Sequence, residues 1–411
     1  MYNGKYRYNI LRRIKRAYRR GGYKQILKGI FRTGVRNLTP NHYPFKPSKV
    51  IKSRDLYDKD RLWELPTIDN DQLDRSESAH PFGREYEGEN FLQSCEYTYR
   101  EDFVCEIDNI RIIGPNGVGI TNTGEFIADS ITIPQEPVRI EESVRRAFVK
   151  YPLLTLQTLN GIHSPYFSAS PSQSLEYACL LHSKWNNYYH WLIEHLPKIR
   201  GVRHYEAQTR NKPTLIIPND PPPYVLESLK VLNIDTSACV EWNPPAIDVD
   251  TLVLPAYPEA TPENLRWLRR HIQAPLTEGQ HKSQKRIYIS RGNAQKRKIS
   301  NENQIEDVLD KFGFKRVLAE DFAFTQQVKL FSNAEVILGP HGAGLTNMIW
   351  ANNAKIIELH NNYIRDHYYI LANNLGHNYQ PIQGRSIKPD DINSNLIIDP
   401  SELRRTLSRI V

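Results

Sequence analysis

The chain has 411 residues, 39% of them apolar and 24% charged, which excludes a disordered chain and gives room for two or three domains. No run of about 18 apolar residues occurs, so no spanning helix is expected. The net charge of +8 is uneven: residues 1–54 hold 16 Lys and Arg and no Asp or Glu, so the other 38 basic side chains face 46 acidic ones.

Residues 1–40 read as a basic amphipathic arm. Leu11, Ile14 and Tyr18 recur at helical spacing among six Lys and Arg, and Ile26, Leu27, Ile30 and Phe31 form a second stripe after Gly21-Gly22. Apolar stripes among cations suit an anionic membrane surface better than nucleic acid, which needs charge alone. The N-terminus has neither the continuous apolar core nor the small-residue site of a secretory leader, so none is expected. The four cysteines, Cys95, Cys105, Cys179 and Cys239, form no C-x-x-C pair and are too sparse for a disulfide scaffold. Reduced thiols in a cytosolic protein are expected.

Residues 41–94 are rich in Pro, Asp and Tyr without a sustained period and read as an extended connection. Residues 95–170 read as β-rich, with a hairpin through Asn109–Ile113, Gly114-Pro-Asn-Gly117 and Val118–Thr121. From residue 175 helices and strands alternate. Tyr189–Val202 is expected as a helix with a kink at Pro197, and strands are expected at Thr214–Ile217 and Thr251–Leu254. A polar gap at 277–285 suggests a linker. Strands then follow at Arg286–Ile289, Lys315–Leu318, Val336–Leu338 and Lys355–Leu359, separated by helices. The first of those helices is expected to be capped by Ser300 or Asn301 and stopped by Gly313. This alternation predicts an α/β fold with a parallel, doubly wound sheet and ligands beyond the carboxyl ends of its strands.

Four clusters carry chemistry. In Asn186-Asn-Tyr-Tyr-His-Trp-Leu-Ile-Glu194, His190 and Glu194 are four apart and share a helix face. Such a pair serves as a proton acceptor, or else it is a satisfied surface ion pair. In Tyr288-Ile-Ser-Arg291, Ser290 and Arg291 end a strand where a guanidinium fork meets a diphosphate, and Arg297 follows; the alternative is a solvated basic loop. The stretch Gly339-Pro-His-Gly-Ala-Gly-Leu-Thr-Asn347 joins a strand to a helix start. Its Gly339, Gly342 and Gly344 let backbone N–H groups approach an anion, with His341, Ala343, Thr346 and Asn347 around it. Its glycine spacing matches neither G-x-G-x-x-G nor a P-loop. Glu358, at the end of the next strand, is placed to hold ribose hydroxyls or a surface ion pair. Three D-x-D triplets, at Asp58, Asp69 and Asp248, are read as structural, and no metal site is expected.

The ordered set resembles glycosyltransferase family 61. The resemblance rests on His190-Trp191-Leu192 with Glu194 and Pro197, on Tyr288-Ile-Ser-Arg291 with Arg297-Lys-Ile-Ser-Asn-Glu302, and on Gly339-Pro-His-Gly-Ala-Gly-Leu-Thr-Asn347 with Ile357-Glu-Leu359. It covers residues of about 110–385. It implies a GT-B architecture, two Rossmann-like domains facing across a cleft, here with a β-rich N-terminal portion and the basic arm. It implies inverting transfer from a nucleotide-sugar donor, commonly UDP-linked, without an essential metal or other cofactor. The chain then divides into the arm and linker (1–54), an acceptor-side domain (55–276) and a donor domain (277–411). His190, positioned by Glu194, is the expected base, with His341 the alternative base or a phosphate ligand. The expected acceptor is a glycan or lipid-linked saccharide at the cytosolic face of a membrane held through residues 1–40, with no nucleic acid as partner. Competing readings are a pyruvyltransferase on a similar scaffold and a non-enzymatic membrane- or nucleic-acid-binding module.

Overall fold

A computed structural model describes residues 50–51, 61–66, 99, 102–122, 125–132, 139, 143, 171, 173–243, 246–277, 285–362 and 365–410. The amphipathic arm over 1–40, the triplets at Asp58 and Asp69, and the polar gap at 278–284 lie outside the described residues.

Two sheets organise the chain. The first contains β1 (Val50–Ile51), β2 (Leu62–Glu64), β3 (Phe103–Ile113), β4 (Val118–Ile120), β5 (Phe126–Ile127), β6 (Gln173–Leu180), β7 (Thr214–Ile217), β8 (Val240–Glu241) and β9 (Ala246–Pro255). Its order is β1-β5-β4-β3-β9-β6-β7-β8, with β2 on β3. The expected hairpin is present: β3 turns into β4 through Gly114 and Gly117, whose φ values of 68° and 66° suit residues without a Cβ. The β-rich portion is not a separate layer. Its strand β3 pairs antiparallel with β9 from Val104↔Pro255 to Ile113↔Ala246, so the meander extends a parallel group, β9-β6-β7-β8. Within that group the order reverses between β6 and β9.

The second sheet is wholly parallel: β10 (Arg286–Ile289), β11 (Lys315–Val317), β12 (Val336–Pro340), β13 (Lys355–His360) and β14 (Asn378–Gln383), in the order β11-β10-β12-β13-β14. Its reversal falls between β10 and β12. Chain connections leave opposite faces there and open a crevice at the carboxyl ends. A short antiparallel pair, β15 (Arg385–Ser386) and β16 (Leu396–Ile397), lies beyond it.

The apolar runs explain the parallel strands. Every residue of β12 is buried, as are all but the first of β13, as expected of a sheet covered on both faces. The helix Glu302–Lys311 buries Ile305, Val308 and Leu309 at i, i+3, i+4 spacing, and Gly313 at φ 70° ends it. Its expected side-chain cap is absent. Asn301 instead exchanges hydrogen bonds with the backbone of Ile398, donating at 2.7 Å and accepting at 3.1 Å.

Pro197 does more than kink its helix. Tyr188–His190 is a single α-turn, Trp191–His195 a π-turn, and Lys198–Thr209 the regular helix. Proline has no N–H for the i−4 carbonyl, and the turn before it widens, with Leu196 N–H reaching Trp191 O at 2.8 Å.

The two sheets share one core. Trp191, Leu192 and Leu196 from the first half and Ile289, Met348 and Trp350 from the second belong to one continuous apolar cluster. Polar clasps reinforce it: Arg269 Nε donates to Ile349 O at 2.5 Å and Gln273 Nε2 to Trp350 O at 2.5 Å.

Candidate functional site

The site of the second half lies where its strand order reverses. β10 runs out into Ser290 and Arg291, and β12 into His341 and Gly342. The glycines there have a measurable reason. A Cβ on Gly342 would lie 2.1 Å from Arg291 Nη1, one on Gly344 would lie 2.9 Å from Ile289 Cγ2, and one on Gly339 would lie 3.1 Å from Ile289 Cβ. These three glycines therefore let the turn press onto β10. Gly342 leaves room for the Arg291 guanidinium to lie over the turn. The next residues, Ala343–Trp350, form a 3-10 helix, with Ala343 and Gly344 half-buried at its start.

Two arginines converge on this turn. Arg291 is fixed by Nε and Nη2 donating to Lys296 O at 3.3 and 3.0 Å. Burial lowers its pKa, and the charge of Arg297 lowers it further, so the two cations sit within each other's field. Arg297 has a left-handed backbone, φ 55°, tied by its N–H to Asn393 O at 3.2 Å. Its Nε is buried without a hydrogen-bond partner. A buried guanidinium nitrogen without an acceptor, next to a second arginine, is a costly arrangement that an anion would relieve.

Beneath the turn, His341 Nδ1 lies 2.5 Å from Glu358 Oε1. Glu358 is wholly buried, and its Oε2 accepts from Tyr379 Oη at 2.5 Å. Burial alone would raise this carboxyl, but His360, His341 and Tyr379 outweigh it and hold it below its ordinary value. His360 Nε2 stands 3.0 Å from the same Tyr379 oxygen, and burial lowers its own pKa. His341, Glu358 and His360 place one ligand atom each within 4.8 Å of one another, the grouping among the described residues nearest to a metal set. The 2.5 Å His341–Glu358 distance is that of a hydrogen bond. Two ligands each about 2.0–2.2 Å from one tetrahedral ion stand farther apart than that. The trio as it stands fits a hydrogen-bond relay rather than a metal cage.

The first half has its own site at the reversal between β6 and β9. The segment after β6 reaches Asn187, whose side chain caps the turn by accepting from Tyr189 and His190 N–H at 3.0 and 3.3 Å. The i, i+4 spacing brings His190 Nδ1 to 2.9 Å from Glu194 Oε2. Tyr257, just after β9, donates to the same Oε2 at 2.7 Å, and Arg139 Nη1 reaches Oε1 at 3.1 Å. Burial opposes the Glu194 charge, but His190, Arg139 and His195 overcome it and hold its pKa down at about 2. His195 is a structural neighbour. Burial lowers it to about 3, and its Nε2 lies 2.9 Å from Trp185 O, so that nitrogen carries the proton.

The two sites adjoin. Tyr189 and Tyr368 meet ring to ring at 5.6 Å, Tyr189 touches His190 at 5.3 Å, and Tyr368 touches His341 at 5.2 Å. Tyr188 Oη donates to Asn347 Oδ1 at 2.8 Å, joining the turn that carries His190 to the 3-10 helix of the glycine turn.

The structure thus brings together His190, Glu194, Arg291, Arg297, Gly339, His341, Gly342, Ala343 and Gly344. It turns others inward. Ser290 Oγ donates to Glu302 at 2.5 Å and accepts from Gly292 N–H at 3.1 Å. Asn347 is fully buried, its carbonyl shared by Tyr188 and Trp350 and its amide donated to Gln327 and Gly344, and Thr346 is fully buried. Glu358 faces His341 and Tyr379 rather than open space. Asp248 is held by Arg111 through two bonds of 2.6 and 2.7 Å, a sheet ion pair. The motifs gave no signal for Tyr189, Tyr257, Tyr368, Tyr379 or Arg139. Tyr189 and Tyr368 stand next to motif residues or on a nearby helix, and only the packing of the two sheets makes them neighbours. Cys105 and Cys179 are free, buried thiols.

Comparison with known proteins follows the same span. The family described as Glycosyltransferase 61 matches residues 188–357, from the Asn187 cap to β13. Over 125 residues the chain is 31% identical to the EGF domain-specific O-linked N-acetylglucosamine transferase of Drosophila melanogaster, a match covering 29% of this chain. It covers 24% of the relative, so the chain spans about a quarter of that protein's length.

Proposed function

Residues 188–357 being a glycosyltransferase family 61 domain, we propose that the protein transfers a sugar, with inversion, from a nucleotide-sugar donor to a glycan or lipid-linked saccharide acceptor. The observation that carries this reading is the Arg291–Arg297 pair over the glycine turn, with the Arg297 Nε buried and unpartnered at the reversal of a parallel sheet. A donor diphosphate supplies the missing acceptors, and fixed guanidinium groups neutralise it as it leaves. In this reading those cations do the work that a divalent ion does elsewhere, so transfer proceeds without added metal.

The two sheets are then the two Rossmann-like halves of a GT-B enzyme, divided near residue 277. The second half holds the donor. The first supplies the base: His190, oriented by Glu194, takes the proton of the acceptor hydroxyl as that oxygen attacks the anomeric carbon. Glu194 sets the tautomer and does not itself move a proton, because His190, Arg139 and Tyr257 all hold its charge. The basic arm anchors the chain to an anionic membrane surface on the cytoplasmic side, near a lipid-linked acceptor.

The relative's name makes UDP-N-acetylglucosamine the first donor to test. Incubation of the full chain with a panel of nucleotide sugars and saccharide acceptors, in chelator, is expected to give a product heavier by one sugar residue with inverted anomeric configuration by NMR. A product heavier by a pyruvyl ketal, made from phosphoenolpyruvate, would overturn the reading. So would retention of configuration, or a strict need for metal.

A further inference from the structure

We propose that the strap between β15 and β16, residues 387–395, belongs to the donor site: it clamps the backbone of Arg297 and so sets where that guanidinium stands, with Asn395 as the positioning residue. This rests on the donor reading above. It adds residues beyond 188–357, the span of the family match, to the machinery of that site.

Arg297 has a left-handed backbone, φ 55°, which a residue with a Cβ keeps only where its surroundings hold it there. Its φ and ψ are set by the two rigid peptide groups that flank its Cα, and turning either one swings the side chain. Both of those groups are bonded to the strap and to the start of β16. On one side, Arg297 N–H donates to Asn393 O at 3.2 Å. On the other, Lys298 N–H donates to Asn395 Oδ1 at 3.0 Å, and Lys298 O accepts from Leu396 N–H at 2.9 Å. The same ladder continues one step on, where Ser300 N–H donates to Leu396 O at 2.8 Å.

The strap is itself pinned from the end of β13. The buried Asn361 donates its Nδ2 to Ile392 O at 3.3 Å and to Ser394 O at 3.1 Å, and Asn362 N–H donates to Ser386 Oγ at 2.8 Å. Within it, the buried Ser394 hydroxyl accepts from Lys388 N–H and donates to Asn395 O, both at 2.8 Å, and Ile387 N–H donates to Asn395 O at 2.9 Å. The strap therefore ties the segment after β10 to the end of β13. Those two strands flank β12, which carries the glycine turn. A guanidinium held in place before an anion arrives gives up less freedom on binding it, and the buried, unpartnered Arg297 Nε is the group that benefits. Asn395 acts through the Lys298 peptide rather than on the ligand, and its half-buried side chain is open to truncation.

The test is calorimetric titration of UDP, with inorganic pyrophosphate as a base-free probe, into the full chain as wild type, Asn395→Ala, Arg297→Ala and the double variant. Asn395→Ala is expected to weaken both probes by about 2- to 10-fold, the net contribution of one hydrogen bond. In the Arg297→Ala background the same substitution is expected to change neither probe by more than about twofold, because the group it positions is gone. Asn361→Ala loosens the strap from its other end and is expected to show the same dependence on Arg297, so the test stands even where Asn395→Ala fails to fold. A lower melting temperature with unchanged affinity in the strap variants, or equal losses with and without the Arg297 side chain, would overturn the proposal while leaving the donor cradle standing. Failure of both UDP and pyrophosphate to bind wild type would remove the cradle itself, and the proposal with it.

Discussion

The two halves place a histidine–carboxylate pair at the same topological position, the reversal of a parallel strand group, yet surround it with opposite chemistry. In the first half His190 stands over Glu194, a carboxylate shared with Arg139 and Tyr257. In the second, His341 stands over Glu358, and two arginines crowd a turn stripped of side chains by its glycines. Burial of the carboxylate is common to both. What differs, among the described residues, is where the cations stand: Arg291 and Arg297 meet beside the glycine turn that carries His341, whereas Arg139 is bonded to the carboxylate beside His190. On the proposed function the same pair serves two roles according to its neighbours.

The sharpest way to break this contrast is to remove one histidine at a time. His190→Ala is expected to lower the transfer rate by about 10³-fold, within the range for loss of a general base, and to leave UDP affinity unchanged. Steady-state kinetics beside UDP titration reads both. A variant that loses UDP affinity but keeps its rate would reverse the two roles.

Gly342→Ala tests the donor side without replacing a charged residue. The new Cβ displaces the Arg291 guanidinium, the movable end of a flexible side chain, so the fold survives. UDP affinity is expected to fall by about 10- to 100-fold, the usual worth of one charge-assisted bond. Unchanged affinity would show that Arg291 does not act from above the turn.

Acid sensitivity distinguishes the carboxylates from the buried neutral histidines around them. Burial holds His195 to about 3 and both His182 and His377 to about 4, below the ordinary value of about 6.5. Their stabilisation is complete above about pH 6.5, where neither folded nor unfolded chain binds the proton, and it is lost as pH falls toward 4. Glu194 adds a second loss, from about 4.5 down toward 2. A tenfold difference in proton affinity between folded and unfolded chain amounts to about 1.4 kcal/mol per group. Melting temperature against pH is expected to decline from near pH 6.5 downward, and a flat profile to pH 4 would contradict the buried neutral histidines.

The smallest effect lies at the junction of the halves. Tyr188→Phe removes the bond to Asn347 and is expected to cost about 1 kcal/mol, or about 2–4 °C in melting temperature. No loss of stability would mean that the shared apolar core and the Arg269 and Gln273 clasps join the halves without it.

Much of this architecture was legible in the sequence because its signals are local. The alternation of apolar runs and helical periods after residue 175 marks the parallel strands, Gly313 marks a helix end, and the four-residue spacing of His190 and Glu194 marks a shared face. Signals that depend on distant partners were not legible. Ser290 and Glu358 stand at strand ends, where a ligand is expected, yet their oxygens turn to Glu302, His341 and Tyr379 from other segments. Asn347 looks like a ligand residue in its motif, but Tyr188, 159 positions earlier, takes its carbonyl. The glycines were read as openings for a ligand. They are openings for Ile289 and Arg291, and only through Arg291 do they bear on an anion. The β-rich portion was read only as strands within the first domain; that β3 pairs antiparallel with β9 across more than 130 residues leaves no mark in either strand.

The central claim is that an anion completes the arginine pair at the second reversal. Calorimetric titration of UDP into wild type and Arg297→Ala tests it most directly. UDP is expected to bind wild type without added metal and to bind the variant at least about tenfold more weakly, since one charge-assisted acceptor pair is lost. Equal affinity in the two proteins, with the variant folded, would contradict it.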